Sequence, residues 1–188
     1  MTTTSPNNGT EKFLEYYVKD LGIVKSVFKS EEHTSDEIAS SLTEIVADAV
    51  MTQSIAFYYP NIDDGKIYYQ VKDVGFKTND LTRKKLEAAY KENAPWPVFT
   101  PNTKINSLYL NNDGMVYIDL SNDFLTEMNA GAGYEAMMLQ SIANTFGNYY
   151  GVERVLLTID NQPYSSGHIV LEQGEYLTVN WIGTEPLD

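Results

Sequence analysis

The chain of 188 residues is 43% hydrophobic and 12% aromatic, enough to bury a core in one ordinary domain and too apolar for a disordered chain. Its formal net charge of −13 disfavours binding to nucleic acids and to anionic membranes, because phosphates and acidic lipids repel it. The sequence contains no cysteine and two histidines, His33 and His168, which excludes disulfides, thiolate catalysis and cysteine-bound metals and disfavours a histidine-rich metal site.

The first fifty residues predict a β-rich segment that is too small to form a core by itself. Residues 1–10 are polar, and we expect a flexible leader there. Residues 13–19 (FLEYYVK) and 23–29 (IVKSVFK) flank Asp20-Leu21-Gly22, so a β-hairpin is favoured over the competing amphipathic helix. Residues 37–46 fit either a third strand or a short helix. We interpret residues 11–50 as the end of an upstream β-rich domain.

From residue 54 onward, the pattern changes to interspersed strands and helices. Strands are predicted at 54–60, ending at Pro60, and at 66–76, with a turn over 61–65 (NIDDG) between them. A helix is predicted over 81–93, with one of the residues 78–80 (Thr, Asn, Asp) as its capping residue. Residues 94–103 contain three prolines and predict a loop.

A second group of strands and helices follows that loop. Strands at 104–111 and 115–121 form a predicted hairpin through Asn112-Asp113-Gly114. A short helix at 122–128, a break at 129–133 and a helix over 134–150 come next, with Gly147 and Gly151 as stop signals. A strand at 152–160, a turn at 161–163 and one or two short tail strands complete the chain. The order β-β-α-β-β-α-β within residues 54–180 predicts an α+β fold, a mixed β-sheet with two helices on one face.

Three aspartates, Asp113, Asp119 and Asp123, lie within eleven residues and are the first candidates for chemistry. A calcium loop of the EF-hand type fails at both Asp-Gly turns, because its first ligand position would be a tyrosine or a proline. Calcium binding by the acidic loops 61–65 or 111–114 in another geometry stays open as an alternative.

A pair of carboxylates, Asp119 with Glu172 or Asp160, is the combination that a glycosidase would need. Strand alternation, however, places Asp119 opposite the apolar residues of its own strand, on a face where polar residues are expected. A side chain among residues 121–123 then fits the cap of the following helix, and removing it at Ser121 should cost about 1 kcal/mol. We therefore favour a structural role for these acids over catalysis.

Other motifs fall short of a catalytic signature. Ser165 and Ser166 precede His168, but the chain lacks the G-x-S-x-G pattern of a nucleophile elbow. The glycines of 131–133 precede a helix without completing G-x-G-x-x-G, so a flexible break is favoured over a phosphate site. Tyrosine pairs such as 58–59 and 68–69 could stack on sugars, although one member of each pair should face the core.

A run of positions between residues 115 and 160 forms a recognisable signature. It combines a strand that ends in Asp-Leu-Ser, a following phenylalanine, an Asn-Thr pair within a helix, a Gly-Val pair and an aspartate at the end of the next strand. This pattern resembles the GerMN domain, the sporulation and spore germination module of bacterial envelope proteins. The resemblance covers residues 54–178 and departs from the family at Asn161-Gln162, which replaces a glycine turn. Its signature positions here are Asp119, Ser121, Phe124, Asn144, Thr145, Gly151 and Asp160.

The resemblance implies a non-enzymatic, extracytoplasmic module for assembly or binding in sporulation, spore germination or envelope assembly. It implies no catalytic residue, cofactor or metal. Its partners would be envelope proteins, a second copy or cell-wall glycan. It also implies a secreted protein or a membrane-anchored lipoprotein, although the chain shows no signal peptide and no apolar stretch of the roughly 18 residues that a membrane helix needs.

The competing hypothesis is a cell-envelope carbohydrate-binding protein or glycoside hydrolase that uses acidic and tyrosine side chains. The two hypotheses differ in the geometry that they predict. A hydrolase requires Asp119, Asp123 and another acid to converge in one aromatic-lined pocket. An assembly module instead predicts Asp119 and Ser121 in capping or strand-end contacts, with an accessible strand edge or helix face for a partner.

Overall fold

The described residues of the structure, a computed structural model, are 2–4, 10–30 and 37–187. The chain divides into two units, Met1–Asp48 and Ala49–Asp188. His33, one of the two histidines, lies outside the described residues.

The described part of the first unit is an antiparallel sheet with the strand order β1-β2-β3-β4. The predicted hairpin is confirmed, with Asp20 and Gly22 at positive φ in its turn. The ambiguous segment after residue 36 is a strand. Part of the predicted flexible leader also pairs into the sheet, which suits its β-branched threonines. The strands are Thr2–Thr4 (β1), Thr10–Val18 (β2), Gly22–Ser30 (β3) and Glu37–Ser41 (β4).

The second unit has the α+β fold that the sequence predicts. Its helices and strands follow the predicted order as far as the strand after residue 152, and short strands in the tail are added. In chain order the elements are Met51–Asn61 (β5), Lys66–Phe76 (β6), Thr82–Lys91 (α1), Ile105–Leu110 (β7), Val116–Leu120 (β8), Asp123–Thr126 (α2), Ala132–Tyr150 (α3), Arg154–Ile159 (β9), Gln162–Pro163 (β10), Leu177–Thr178 (β11) and Thr184–Pro186 (β12).

The described strands of this unit lie in two sheets, where the sequence predicted one. The larger sheet has the order β10-β9-β8-β7, with β11 also on β9, and is mixed because β8 and β9 run parallel. The smaller sheet has the order β12-β6-β5. Its β5 and β6 pair in register over eleven residues, from Met51 opposite Phe76 to Asn61 opposite Lys66. The other edge of β5 lies against α3 instead of another strand, so the hairpin does not join the larger sheet.

Both long helices contact both sheets. Helix α3 packs on β5 and on β8 and β9, and α1 packs on β6 and β7. An aromatic cluster around the fully buried Tyr90 fills the space between them. The ring centroid of Tyr90 lies 5.4 Å from Phe57, 4.9 Å from Phe99 and 6.1 Å from Phe146. Large side chains from the proline-rich loop therefore belong to the same core as the helices and strands.

The helix ends differ from two of the predictions. Helix α1 begins after Leu81, and among the described residues no side chain caps it, because the Asp80 carboxylate accepts the N–H of Lys77 instead. Gly147 does not stop α3, which continues to Tyr150. Gly151 is the C-cap, as predicted, with the left-handed φ of 68° that glycine adopts without strain. Within the described chain, no helix is both long and apolar enough to span a membrane.

Candidate functional site

Asp119 lies at the centre of a buried junction in the larger sheet. Alternation on β8 turns it away from the helices, as predicted, but it is buried, with 2% of its surface exposed, and is not an outward-facing polar residue. Its Oδ1 accepts hydrogen bonds from Thr158 Oγ1 at 2.6 Å and from the Asn161 N–H at 2.6 Å. Its Oδ2 accepts one from Asn106 Nδ2 at 2.9 Å. The expectation of an exposed position failed because three donors from neighbouring segments cover the carboxylate.

A β-bulge supplies one of these donors. Ile105 pairs with Leu120 and Ser107 with Asp119, so Asn106 is the extra residue between them on β7. Its Nδ2 reaches both Asp119 and, at 3.0 Å, the Oδ1 of Asp160. The two aspartates thus accept hydrogen bonds from the same amide group, which ties the end of β9 to β7 and β8.

Asp160 and Asn161 form the turn between β9 and β10. Both residues have positive φ, 46° and 64°, which is the conformation of a type I′ hairpin turn and one that Asp and Asn tolerate. The turn therefore begins one residue earlier than predicted, and Gln162 and Pro163 pair as strand β10. The missing glycine of the signature is replaced by two residues that adopt the left-handed region.

Ser121 closes the strand end but does not cap a helix. Its Oγ accepts the N–H of Lys104 at 3.0 Å and donates to Asp123 Oδ2 at 3.0 Å. Its own N–H donates to the Lys104 carbonyl at 2.9 Å. Helix α2 has Asn122 at its N-cap, and no described side chain caps it. The capping prediction for residues 121–123 is therefore wrong. The Ser121 hydroxyl forms its hydrogen bonds with the Lys104 N–H and with Asp123, and so does not bond to the N–H groups at the start of α2.

Asn144 and Thr145 connect helix α3 to two different parts of the unit. Asn144 Nδ2 donates to the Asn180 carbonyl at 2.7 Å, and Asn144 Oδ1 accepts the Asn180 N–H at 2.8 Å. This pair of bonds fastens the tail between β11 and β12 to the helix. Thr145 Oγ1 accepts the N–H of Tyr58 at 3.0 Å.

The contact between Thr145 and β5 satisfies an edge strand that faces the core. The carbonyl of Tyr58 is also satisfied there, by the hydroxyl of Tyr90 at 2.7 Å. Side chains of α3 and α1 thus replace the neighbouring strand that β5 lacks on this side. The Asn-Thr pair therefore holds the helix to the tail with one residue and to the smaller sheet with the next.

Phe124 and Gly151 complete the signature positions. Phe124 is fully buried, and its ring lies 6.2 Å from Phe99 and 6.3 Å from Tyr164 between centroids. Gly151 ends α3 with its N–H on the Asn148 and Gly147 carbonyls. These two positions serve packing and chain reversal.

The aspartates in the two acidic hairpin turns accept equivalent pairs of hydrogen bonds. Asp64 accepts the N–H of Lys66 and the hydroxyl of Tyr68, and Asp113 accepts the N–H of Met115 and the hydroxyl of Tyr117. The hydrogen bond from Tyr68 lowers the pKa of the Asp64 carboxyl. In the part of the chain that the structure describes, no group of three or more His, Cys, Asp or Glu residues is placed to hold a metal ion.

A second buried carboxylate, Glu135, was not singled out in the sequence. It lies in the first turn of α3, is 1% exposed, and accepts hydrogen bonds from Tyr164 at 2.8 Å and from Ser166. His168 Nδ1 lies 3.0 Å from its Oε2. Burial opposes ionisation, but the hydrogen bonds from Ser166, Tyr164 and His168 outweigh it and hold the pKa of Glu135 below its ordinary value.

This Ser-His-Glu group does not have the geometry of a nucleophilic triad. Ser166 Oγ donates to Glu135 and accepts the N–H groups of His168 and Ile169, so the hydroxyl faces the carboxylate and not the imidazole. The group fastens the loop 164–169 to the start of α3. The Ser-Ser-Gly-His run was the only sign of this group in the sequence. Glu135 lies about thirty residues earlier, and no local sequence pattern links it to that run.

Asp119 and Asp160 meet at the amide of Asn106, but the acids proposed for a hydrolase do not line one common pocket. Asp123 bonds to Ser121, and Asp119 is covered by its own donors. Glu172 lies in a loop that lines a concavity on the outer face of the larger sheet, and Thr158 and Asn161 line the same concavity in front of Asp119. The geometry matches the strand-end contacts expected of an assembly module.

The sequence matches the model of a known protein family. A family model called Germane, with the description sporulation and spore germination, matches residues 56–165, more than half of the chain. No curated protein matches this chain.

Solved structures similar to this chain include a candidate lipoprotein from Clostridium perfringens, 18% identical, with 72% of this chain and 93% of that chain covered and a TM-score of 0.42. The tandem GerMN domains of the sporulation protein GerM from Bacillus subtilis are 17% identical, with 68% of this chain and 46% of that chain covered and a TM-score of 0.47. The first GerMN domain of the same protein is 17% identical, with coverages of 68% and 98% and a TM-score of 0.46.

Proposed function

The chain belongs to the Germane family of sporulation and spore germination, and from this premise we propose that it is a non-enzymatic binding and assembly module of the cell envelope. The family membership confirms the GerMN-type resemblance of the sequence. Its partners are envelope proteins or further copies of the same chain. The protein acts outside the cytoplasm, secreted or held by a lipid anchor.

One observation carries the proposal: the polar signature side chains are engaged in contacts that hold the fold together. Asp119 joins three segments of the larger sheet, Asn144 holds the tail, and Thr145 holds β5. A catalytic carboxylate needs access to substrate, and the carboxylate of Asp119 is buried beneath its hydrogen-bond donors. The engagement of these side chains within the fold supports a scaffold role for the signature positions.

The discriminating experiment uses Asp123, a half-buried acid that the hydrolase hypothesis requires beside Asp119. In the bacterium that encodes the chain, the gene is replaced by the Asp123→Asn variant, and the frequencies of sporulation and germination are measured. If the chain is an assembly module, the sporulation and germination frequencies should equal those of wild type. The variant removes one charge and leaves the sheet intact. A folded Asp123→Asn protein with the phenotype of the deletion would overturn the proposal in favour of catalysis.

A carbohydrate-binding role is the second candidate, and one observation favours it. The rings of Tyr109 and Tyr117 stack on the outer face of the larger sheet, with centroids 5.4 Å apart, and Tyr109 is 48% exposed. Exposed aromatic faces are surfaces on which sugar rings can pack. Titration with a chitin or peptidoglycan fragment, followed by the fluorescence of the tyrosines and the NMR shifts of these strands, tests it.

A further inference from the structure

A row of apolar side chains crosses the outer face of the larger sheet. Tyr109, Tyr117 and Leu156 are register partners on β7, β8 and β9, and alternation turns all three away from the face that packs on α3. Nearly half of Tyr109 is exposed, and its ring lies parallel to that of Tyr117 within 20°. The row presents apolar side chains to solvent and ends at β7, the terminal strand of this sheet among the described residues.

The row leads into a concavity of about 300 Å³. Tyr117, Leu156 and Pro163 supply its apolar lining, and the loop 172–175 forms one wall. This loop carries two glutamates, Glu172 and Glu175, beside the apolar lining. A ligand that lies along the row would therefore meet carboxylates at its end.

The acidic loop is held in a defined shape. The N–H of Glu172 donates to Glu175 Oε2 at 2.7 Å, and the N–H of Glu175 donates to the Glu172 carbonyl at 3.0 Å. Gly174 has a φ of 82°, which makes the tight reversal possible. In the described part of the chain no donor reaches the carboxylate of Glu172, which faces solvent.

The cation nearest along β9 is engaged elsewhere. Arg154 donates to the Asp113 carbonyl at 2.9 Å, and its guanidinium lies 5.5 Å from the ring centroid of Tyr176. The ion pairs formed by the described residues do not include one between Arg154 and either glutamate of the loop. The negative charge at this end of the row is thus available to a partner.

We propose that this surface docks a basic segment of a partner polypeptide, with an apolar side chain on the Tyr109–Tyr117–Leu156 row and a lysine or arginine in the concavity against Glu172 and Glu175. The inference rests on the proposed function and adds the chemistry of the partner. A lysine or arginine has an aliphatic stem that suits the apolar lining and a cation that suits the two carboxylates. The net charge of −13 also attracts basic partners over a distance.

The test is an NMR titration of the full ¹⁵N-labelled chain with a blocked Leu-Lys-Leu-Lys-Leu peptide. The control peptide is Leu-Gln-Leu-Gln-Leu, and chitohexaose serves as the glycan probe. We expect the lysine peptide to shift the amides of Leu156, Thr158 and residues 172–175, and the glutamine peptide to bind about tenfold more weakly or not at all. Shifts caused only by chitohexaose would assign the surface to glycan and overturn the inference.

Two variants separate local recognition from general attraction. Glu172→Gln with Glu175→Gln should weaken the lysine peptide by about tenfold, since it removes the paired charges of the concavity. Asp63→Asn with Glu153→Gln changes the net charge equally at exposed positions outside the concavity and should leave the affinity within about twofold. An equal loss in both double variants would show attraction by net charge alone and would contradict a built site.

The apolar row is tested by Tyr109→Ser, which removes the exposed ring without a change of charge. The lysine peptide should bind to this variant at least about threefold more weakly than to the wild-type chain. An unchanged affinity would remove the row from the inference. A lack of peptide binding together with a wild-type phenotype of Asp123→Asn would refute this docking surface and leave the assembly module standing.

Discussion

At the scale of single residues, Asp119 shows how one buried carboxylate can hold several segments of a sheet together. Its carboxylate accepts from β7, from β9 and from the turn after β9, so one side chain fixes the relative positions of three segments. Its orientation follows from strand alternation in the sequence. Its burial could not be predicted, because the bulge at Asn106 and the turn at Asn161 bring donors from residues distant in the chain.

We predict that Asp119→Asn lowers the free energy of unfolding by about 1–3 kcal/mol, because an amide must direct a donor toward one of the three donors that now surround the carboxylate. Urea unfolding at neutral pH measures the change. Asp63→Asn, at an exposed turn position, is the control and should change the free energy by no more than about 0.5 kcal/mol. Equal values for the two variants would contradict the junction.

Thr145 offers a cleaner substitution at the contact between α3 and β5. Thr145→Val keeps the shape of the side chain but leaves the N–H of Tyr58 without its acceptor, and should destabilise the protein by about 1–3 kcal/mol. Thr145→Ser keeps the hydroxyl and should lose less than half of that amount. Thermal melting of the pair decides the matter, and a serine variant as unstable as the valine variant would point to the methyl group instead of the hydrogen bond.

At the scale of elements, helix α3 shows where local signals mislead. A glycine near a helix end predicts a stop, yet Gly147 lies inside α3 with its Cα against the tail. A Cβ there would lie 2.2 Å from Val179 Cγ2 and 2.8 Å from the Val152 carbonyl. The residue is small because another segment approaches closely, a reason that no pattern of neighbouring residues reveals. Gly151, whose role is local, was predicted correctly.

Alanine substitutions at Gly147 and Gly133, both in α3, allow a controlled comparison of stability. Gly147→Ala should destabilise the protein by about 1–3 kcal/mol, because the new methyl group overlaps backbone as well as a side chain. Gly133→Ala has no atom within 4 Å of its added Cβ and should raise stability by up to about 1 kcal/mol through helix propensity. Chemical unfolding of both variants checks the signs. A stabilising Gly147→Ala would mean that the tail does not lie against α3.

At the scale of the whole molecule, the order of elements is readable from the sequence but the division into sheets is not. Turn signals and periodicity locate β5 to β9 because these are local properties. Whether β5 pairs with a further strand or packs on α3 depends on Thr145 and Tyr90, which are far from it in the chain. The short strands of the tail pair with β9 and with the edge of β6, and Asn144 holds the segment between them, so their positions depend on residues distant in the chain.

Acid should destabilise the second unit. Asp64, Asp113 and Glu135 have pKa values below their ordinary range, so each contributes stability that is complete above about pH 5 and is lost as the pH falls through its folded-state pKa. We predict a free energy of unfolding that decreases steadily below pH 4. Glu135→Gln should be less stable at pH 7 and show a shallower decrease. An equally steep decrease in this variant would exclude Glu135 as a source.

Measuring function and stability together tests whether the signature residues build a scaffold. Sporulation and germination frequencies and the free energy of unfolding are determined for Asp119→Asn, Ser121→Ala, Asn144→Ala and Thr145→Val, each at a permissive and at a raised growth temperature. If these residues build a scaffold, function should follow stability along one curve for all four variants and should return at the lower temperature. A variant that is as stable as wild type and has no function at either temperature would contradict it.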